Sequence, residues 1–333
     1  MSVKHKLGER LGTLAIEVPE PRALPGSAVH GKLVLSLARE SAMRRIGAVL
    51  WGGEFVHIHD SSSTLEGVSY PVERTGSLGF LRAPAELRAL SPGVRVPAPG
   101  EGPLTLAQGR YRFAFTAALP APSPPSWDGP SRDVEVRKTK AKGGISFTYV
   151  GVKYEVRAGA DVGRFGALSA VEEVQVVEPP QVPVFKPGRS LASRGRRGGP
   201  ALTLSLDFTQ ATAGAVLQGA VRLEGSSWKR VRKIRLTLFE KVVGHAGERL
   251  GAAKRWERRP LSEATLLPPP TPEGMRAAFA LRVPLGTCAT RRGEIASRLH
   301  WVEARADLAL ARDLTSRVDV VVLSREAVTP PPP

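Results

Sequence analysis

Apolar and polar residues alternate along most of the chain with a period of two, the pattern of strands that bury one face. Phe113, Phe115, Ala117 and Leu119 share one side of a run whose other side carries Arg112, Ala114, Thr116 and Ala118. Ile46, Ala48 and Leu50 alternate likewise, as do Ile234, Leu236 and Leu238 against Lys233, Arg235 and Thr237. Glycine and proline clusters punctuate the runs at short intervals, as in β-sandwiches. The pattern predicts an all-β chain, with helix signals confined to Ala83 to Leu90 and Gly293 to Leu299. One run slips in phase. Ile145, Phe147 and Tyr149 hold odd positions and Val150, Val152, Tyr154 and Val156 even ones, which predicts a β-bulge at Tyr149 to Gly151.

The alternating segments also repeat. Thr13 to Glu17 reads TLAIE and Thr203 to Asp207 reads TLSLD; Pro25 to Leu35 reads PGSAVHGKLVL and Ala213 to Leu223 reads AGAVLQGAVRL. Both glycines stay in register, since 214 − 26 = 188 and 219 − 31 = 188, and the same offset carries Ile46 onto Ile234. Further on, RFAFTAALP ending at Pro120 matches RAAFALRVP ending at Pro284, an offset of 284 − 120 = 164. Four matched segments in one order imply two copies of one β-sandwich with loops of different length. The expected organisation is a sandwich over 1–178, a Pro/Gly/Arg-rich linker over 179–200, a second sandwich over 201–326, and a disordered proline-rich tail over 327–333.

Between two strand-like runs lies LPAPSPPSWDG, Leu119 to Gly129. Linkers seldom carry a tryptophan, so Trp127 is expected to anchor a structural corner made with Pro124, Pro125, Ser126 and Gly129. Two tandem sandwiches, a Pro-Gly turn leading into V-x-G-x-L-x-L, and this corner closing a Phe-x-Phe strand together resemble the arrestin fold. The residues that carry the resemblance are Phe113, Phe115, Leu119 and Pro120, then the corner, then Tyr154, Val156 and Ala158 in the next strand. It implies two tandem immunoglobulin-like β-sandwich domains, nearer to the bacterial sporulation-control and α-arrestin types than to receptor arrestins. It further implies a non-catalytic adaptor or scaffold that captures protein partners through sheet edges, end loops and the interdomain groove. The second-domain corner, LGTCATRRGE, lacks the tryptophan, and no Pro-Pro-x-Tyr tail motif follows Pro330 to Pro333.

Composition narrows the chemistry. The formal charge of +17 over 333 residues favours an anionic partner, here an acidic or phosphorylated protein, with peripheral contact to an anionic membrane as an alternative. Nucleic-acid binding is disfavoured because no recognition helix, zinc finger or aromatic RNP motif is present. The candidate anion sites are the basic stretch Arg132, Arg137, Lys138, Lys140 and Lys142, and the run Lys229, Arg230, Arg232 and Lys233 extending to Arg235. Solvated loops and a charged strand edge that discourages aggregation explain the same residues. His57 and His59 lie on one side of a predicted strand, a spacing that two metal ligands can use, and they define a competing reading as a metal-dependent hydrolase. A third ligand is not evident, and strand-surface histidines running into a serine-rich loop are the simpler reading. Cys288, the single cysteine, has no neighbouring histidine, and neither a nucleophile elbow nor a phosphate-cradling glycine loop occurs. The expectation is no enzyme, no cofactor and a cytoplasmic location, since one cysteine excludes a disulfide framework and no signal-peptide-like apolar stretch is present.

Overall fold

The structure, a computed structural model, describes residues 11–65, 68–129, 145–163, 166–178, 186–190, 193–194, 200–225, 231–246, 253–267, 275–309 and 313–324. The chain is all-β, as the alternation predicts, with 22 strands among the described residues. The first eleven are β1 (Gly12–Glu17), β2 (Arg22–Ala23), β3 (Ala28–Leu37), β4 (Ser41–Leu65), β5 (Val68–Pro84), β6 (Glu86–Ala89), β7 (Leu104–Leu106), β8 (Gly109–Ala118), β9 (Trp127–Asp128), β10 (Ile145–Val162) and β11 (Gly166–Val176). The others are β12 (Gly188–Arg189), β13 (Ser193–Arg194), β14 (Ala201–Leu206), β15 (Gln210–Thr212), β16 (Val216–Glu224), β17 (Val231–Ala246), β18 (Ala253–Leu266), β19 (Met275–Arg282), β20 (Arg291–Arg292), β21 (Ala296–Leu308) and β22 (Leu314–Leu323). No helix among the described residues is long and apolar enough to cross a membrane.

The chain divides into two compact units. One comprises Met1–Glu54, Ser77–Trp127 and Val152–Pro179; the other comprises Phe55–Gly76, Asp128–Gly151 and Pro180–Pro333. In the first half of the chain, one sheet has the order β1-β3-β8-β6 and a second the order β2-β11-β10-β4-β5, with β7 added to β4 and β9 to β10. In the second half the orders are β12-β14-β16-β19, with β13 added to β14, and β15-β22-β21-β17-β18, with β20 added to β21. The strands that the repeat aligns therefore occupy equivalent places. β2 runs parallel to β11 as β15 runs parallel to β22, whereas β1 with β3, β10 with β11 and β21 with β22 are antiparallel.

Each unit fills the space between its sheets with the inward residues of the alternation. Leu33, Leu35, Phe113, Phe115, Tyr154 and Val156 are buried in the first core, and Leu202, Leu204, Leu236, Leu238, Val302 and Ala304 in the second. Equivalence extends to single hydrogen bonds. Gly26 and Gly214 both turn the chain with positive φ (84° and 89°), a conformation that suits glycine. Their N–H groups donate to the Leu119 and Val283 carbonyls at 2.9 Å, and the Leu119 and Val283 N–H groups donate back to Ser27 and Ala215 at 2.9 Å.

Three expectations differ from what is observed. Ala83 to Leu90 belongs to β5 and β6, and Gly293 to Leu299 runs into β21, so neither is helical. Both stretches alternate in exposure, and pairing to β8 and β17 satisfies backbone groups that a single short helical turn leaves open. Within the expected linker, Gly188–Arg189 and Ser193–Arg194 pair with β14. Ser190 explains that capture: its hydroxyl accepts from the Leu204 N–H at 2.9 Å and bonds the Ser316 hydroxyl at 2.6 Å. Of the predicted phase slip, Val150, Val152, Tyr154 and Val156 are buried as expected, whereas the side chains of Ile145 to Tyr149 lie outside the described residues. The expected proline-rich tail over 327–333 also lies outside them.

Candidate functional site

The corner after β8 is built from backbone bonds that its side chains complete. The Ser123 N–H donates to the Pro120 carbonyl at 3.1 Å, and the Ser126 N–H to the Val176 carbonyl at 2.8 Å. The Ser126 hydroxyl in turn accepts from the Val176 N–H at 2.9 Å. Tyr154, fully buried, reaches back to donate its hydroxyl to the Pro124 carbonyl at 2.6 Å. Burial pushes the Tyr154 phenol well above its ordinary pKa, which keeps it the donor of that bond. Trp127 packs half-buried against the first core, and Gly129 takes the left-handed conformation (φ 56°) that turns the chain away. Trp127 is thus one support of the corner, and Ser126 and Tyr154 supply its hydrogen bonds.

The second unit repeats this corner with different side chains. The Thr287 N–H donates to the Pro284 carbonyl at 3.1 Å and the Thr290 N–H to the Val322 carbonyl at 2.7 Å. The Thr290 hydroxyl accepts from the Val322 N–H at 2.8 Å, as Ser126 accepts from Val176. Because 290 − 126 = 164, the offset of the matched proline-ended strands persists through the corner. His300 occupies the place of Tyr154, since 300 − 154 and 322 − 176 both equal 146, and its Nδ1 lies 2.9 Å from the Thr290 hydroxyl. Glu240 occupies the place of Gly52, since 240 − 52 = 188. A Cβ on Gly52 would meet the Tyr154 ring at 2.6 Å, so the first corner has room for the phenol only where there is no side chain. With the smaller imidazole, the second corner accommodates a carboxylate.

Glu240, Arg298 and His300 are fully buried and Arg259 nearly so. Arg259 Nε donates to Glu240 Oε2 at 2.6 Å; Arg298 Nε and His300 Nε2 stand 3.6 and 3.5 Å from Oε1, within ion-pair range. Register produces the cluster: Glu240 lies opposite Arg259 on β18 and opposite His300 on β21, and Val242 lies opposite Arg298. A bulge at Leu238/Phe239 against β18 lets both Leu261 and Arg259 turn inward. Burial holds His300 below its ordinary pKa, and the nearby Glu240 carboxylate only partly offsets this. The cluster therefore places two guanidinium groups and one neutral imidazole around one carboxylate. Removing the carboxylate would leave buried cations uncompensated. A cavity of about 380 Å³ adjoins His300, lined also by Thr290, Arg292, Ser297, Arg317 and Asp319.

The outward face of the same sheet carries stacked aromatic and cationic side chains. Phe239 and Trp301 stack at 5.4 Å between centroids, and Arg258 sits 3.7 Å over Phe239 while pairing with Glu303 at 3.0 Å. Arg317 lies 4.2 Å over Trp301, and Lys241 Nζ lies 4.8 Å over Trp256. Trp256, on the edge strand β18, remains 54% exposed. The first unit carries a smaller version of this face, with Arg157 4.4 Å over Trp51.

Of the residues singled out by sequence, Arg132, Arg137, Lys138, Lys140, Lys142, Lys229 and Arg230 lie outside the described residues. Arg232 and Lys233 are exposed at the start of β17; Lys233 and Arg235 share Asp307, at 3.8 and 3.1 Å. That part of the basic run is a charge-compensated surface. His57 and His59 both lie on β4, and the side chain of His59 lies outside the described residues. Among the described residues no three His, Cys, Asp or Glu side chains converge as a metal site. Sequence reading missed the Glu240 cluster and the Trp256 face. The signal for the first was Glu240 itself, a charge in the inward phase of Leu236, Leu238 and Val242. The signal for the second was a tryptophan inside a cationic strand, AKRWERRP. No family model matches the chain, and no curated protein matches it.

Proposed function

We propose that the protein is a non-catalytic, cytoplasmic adaptor of arrestin-like architecture that captures acidic or phosphorylated protein partners on the outward face of β17, β18, β21 and β22. The observation that carries this reading is Trp256, 54% exposed on an edge strand beside Lys241 and within one sheet face of Arg258 and Arg317. Tryptophan and arginine are enriched in binding hot spots, where each buries a large contact area. Here the guanidinium groups are already held on aromatic rings, so less side-chain entropy is lost when a partner docks. The edge strand β18 also offers backbone groups for pairing. The net charge of +17 biases encounter toward acidic surfaces. The matched motifs of the first corner and the repeated strand order support the arrestin-like part of the reading. Affinity purification from the native host followed by mass spectrometry tests it. An acidic partner retained at low salt, released at high salt and depleted with Trp256→Ala is the expected result; capture indifferent to both changes overturns it.

A further inference from the structure

The first unit holds a trough that the proposed partner face does not use. Its floor is the outward side of two neighbouring strands, Gly47 and Val49 of β4 and Gly159 of β10; its walls are Pro84, Leu87 and the loop Val96 to Gly100. The volume is about 830 Å³, within the range of sites that hold small organic ligands. Glycine makes the depth. A Cβ on Gly47 would meet nothing within 4 Å, and one on Gly159 would meet only the Leu168 carbonyl at 3.9 Å, so ordinary side chains would fill the space without any clash. The loop wall is preformed: the Glu101 carboxylate accepts from Arg95 at 2.6 Å and from the Ala98 N–H at 2.9 Å, and the Glu101 N–H donates to the Ala98 carbonyl at 3.1 Å.

The charges of the trough do not cancel. Glu101 is engaged by Arg95, and Arg157 is engaged by Glu155 at 2.8 Å and lies over Trp51. Arg44 and Arg45, exposed and consecutive on β4, line one end and pair with no acid among the described residues; Asp161 is the remaining acid in the lining. Running along β4 from Arg45 to Val49, the floor extends about 13 Å at strand rise, with Arg44 and Arg45 outnumbering Asp161 at one end and an apolar surface beyond. A cationic end followed by an apolar, proline-walled trough is complementary to a molecule with an anionic head and an apolar body.

We propose that this trough binds a small amphipathic carboxylate, its head on the guanidinium groups of Arg44 and Arg45 and its apolar body over Gly47, Gly159 and Val49. Arginine suits the head because its planar fork can donate two parallel bonds to a carboxylate. The site is separate from the Trp256 face and does not depend on the adaptor reading.

Calorimetric titration of the full chain with decanoate, and with decanol as the uncharged counterpart, tests the proposal. Decanoate is expected to bind saturably and at least about tenfold more tightly than decanol, since charge-assisted bonds to two arginines discriminate the head group. Arg44→Ala/Arg45→Ala is expected to weaken decanoate to the level of decanol, and Gly47→Leu to abolish binding of both by filling the trough. Unchanged melting temperatures would show that both variants fold. Decanoate binding that survives both substitutions, equal affinity for decanoate and decanol, or no saturable binding at all would overturn the proposal.

Discussion

At the second corner one carboxylate, Glu240, faces two guanidinium groups and the imidazole of His300 inside the sheet. A third positive charge there would be costly, which agrees with a His300 pKa held below 6.5 by burial. The sign of the pH dependence follows. Above 6.5 His300 is neutral in both folded and unfolded chains and the native state is not penalised. As pH falls through 6.5 the unfolded chain takes up the proton and the folded one resists, so stability drops until the native His300 also titrates, and then levels. Denaturant unfolding of the full chain from about pH 8 to pH 5 should show this decline, and His300→Gln should remove its share of it. An unaltered slope in His300→Gln would mean that the imidazole does not sense the cluster. The first corner has no such response built in, because Gly52 and Tyr154 stand where Glu240 and His300 do.

Between elements, close strand approach decides which substitutions are tolerated. On β16 a Cβ at Gly219 would lie 2.1 Å from the Ser205 carbonyl oxygen of β14, whereas one at Gly47 on β4 meets nothing within 4 Å. Gly219→Ala should therefore lower stability by roughly 3 kcal/mol or more through displaced backbone, and Gly47→Ala should stay within about 0.5 kcal/mol, both read by denaturant unfolding. The alternation made β3, β8, β16 and β19 legible, and the glycine offsets made their equivalence legible, because buried strands leave a period of two and a turn with positive φ leaves a glycine. The corners were half legible. The proline stop and Trp127 were visible in the first, but Ser126 and Thr290 share bonding geometry and not residue type, and Tyr154 and His300 share a place while bonding different partners, the Pro124 carbonyl and the Thr290 hydroxyl. The expected helices failed because such short stretches follow their partners in the sheet and not their own propensity. The pairing of Gly188–Arg189 and Ser193–Arg194 was hidden because it rests on the hydroxyl of Ser190, and a single serine in a Gly/Arg-rich run reads as loop.

Across the full chain, two units share the order of their repeated strands and differ in inner chemistry. In the first, a phenol and an apolar core close the corner; in the second, a buried charge cluster lies behind a sheet face of tryptophan, phenylalanine and arginine. Most of the exposed ion pairs, such as Lys233 and Arg235 with Asp307, contribute little to stability individually. Their effect is on the field around the molecule, where an excess of 48 basic over 31 acidic residues favours acidic encounter partners. Docking of a protein partner on the Trp256 face is the proposal on which the functional reading stands or falls. Hydrogen exchange of the full chain, compared with and without the acidic partner recovered from the native host, is its sharpest test. Slowed exchange of the amides of β17 and β18 around Lys241, Trp256 and Arg258, lost when Trp256 is replaced by alanine, is the expected result. Protection confined to other strands, or protection that persists unchanged in Trp256→Ala, would refute it.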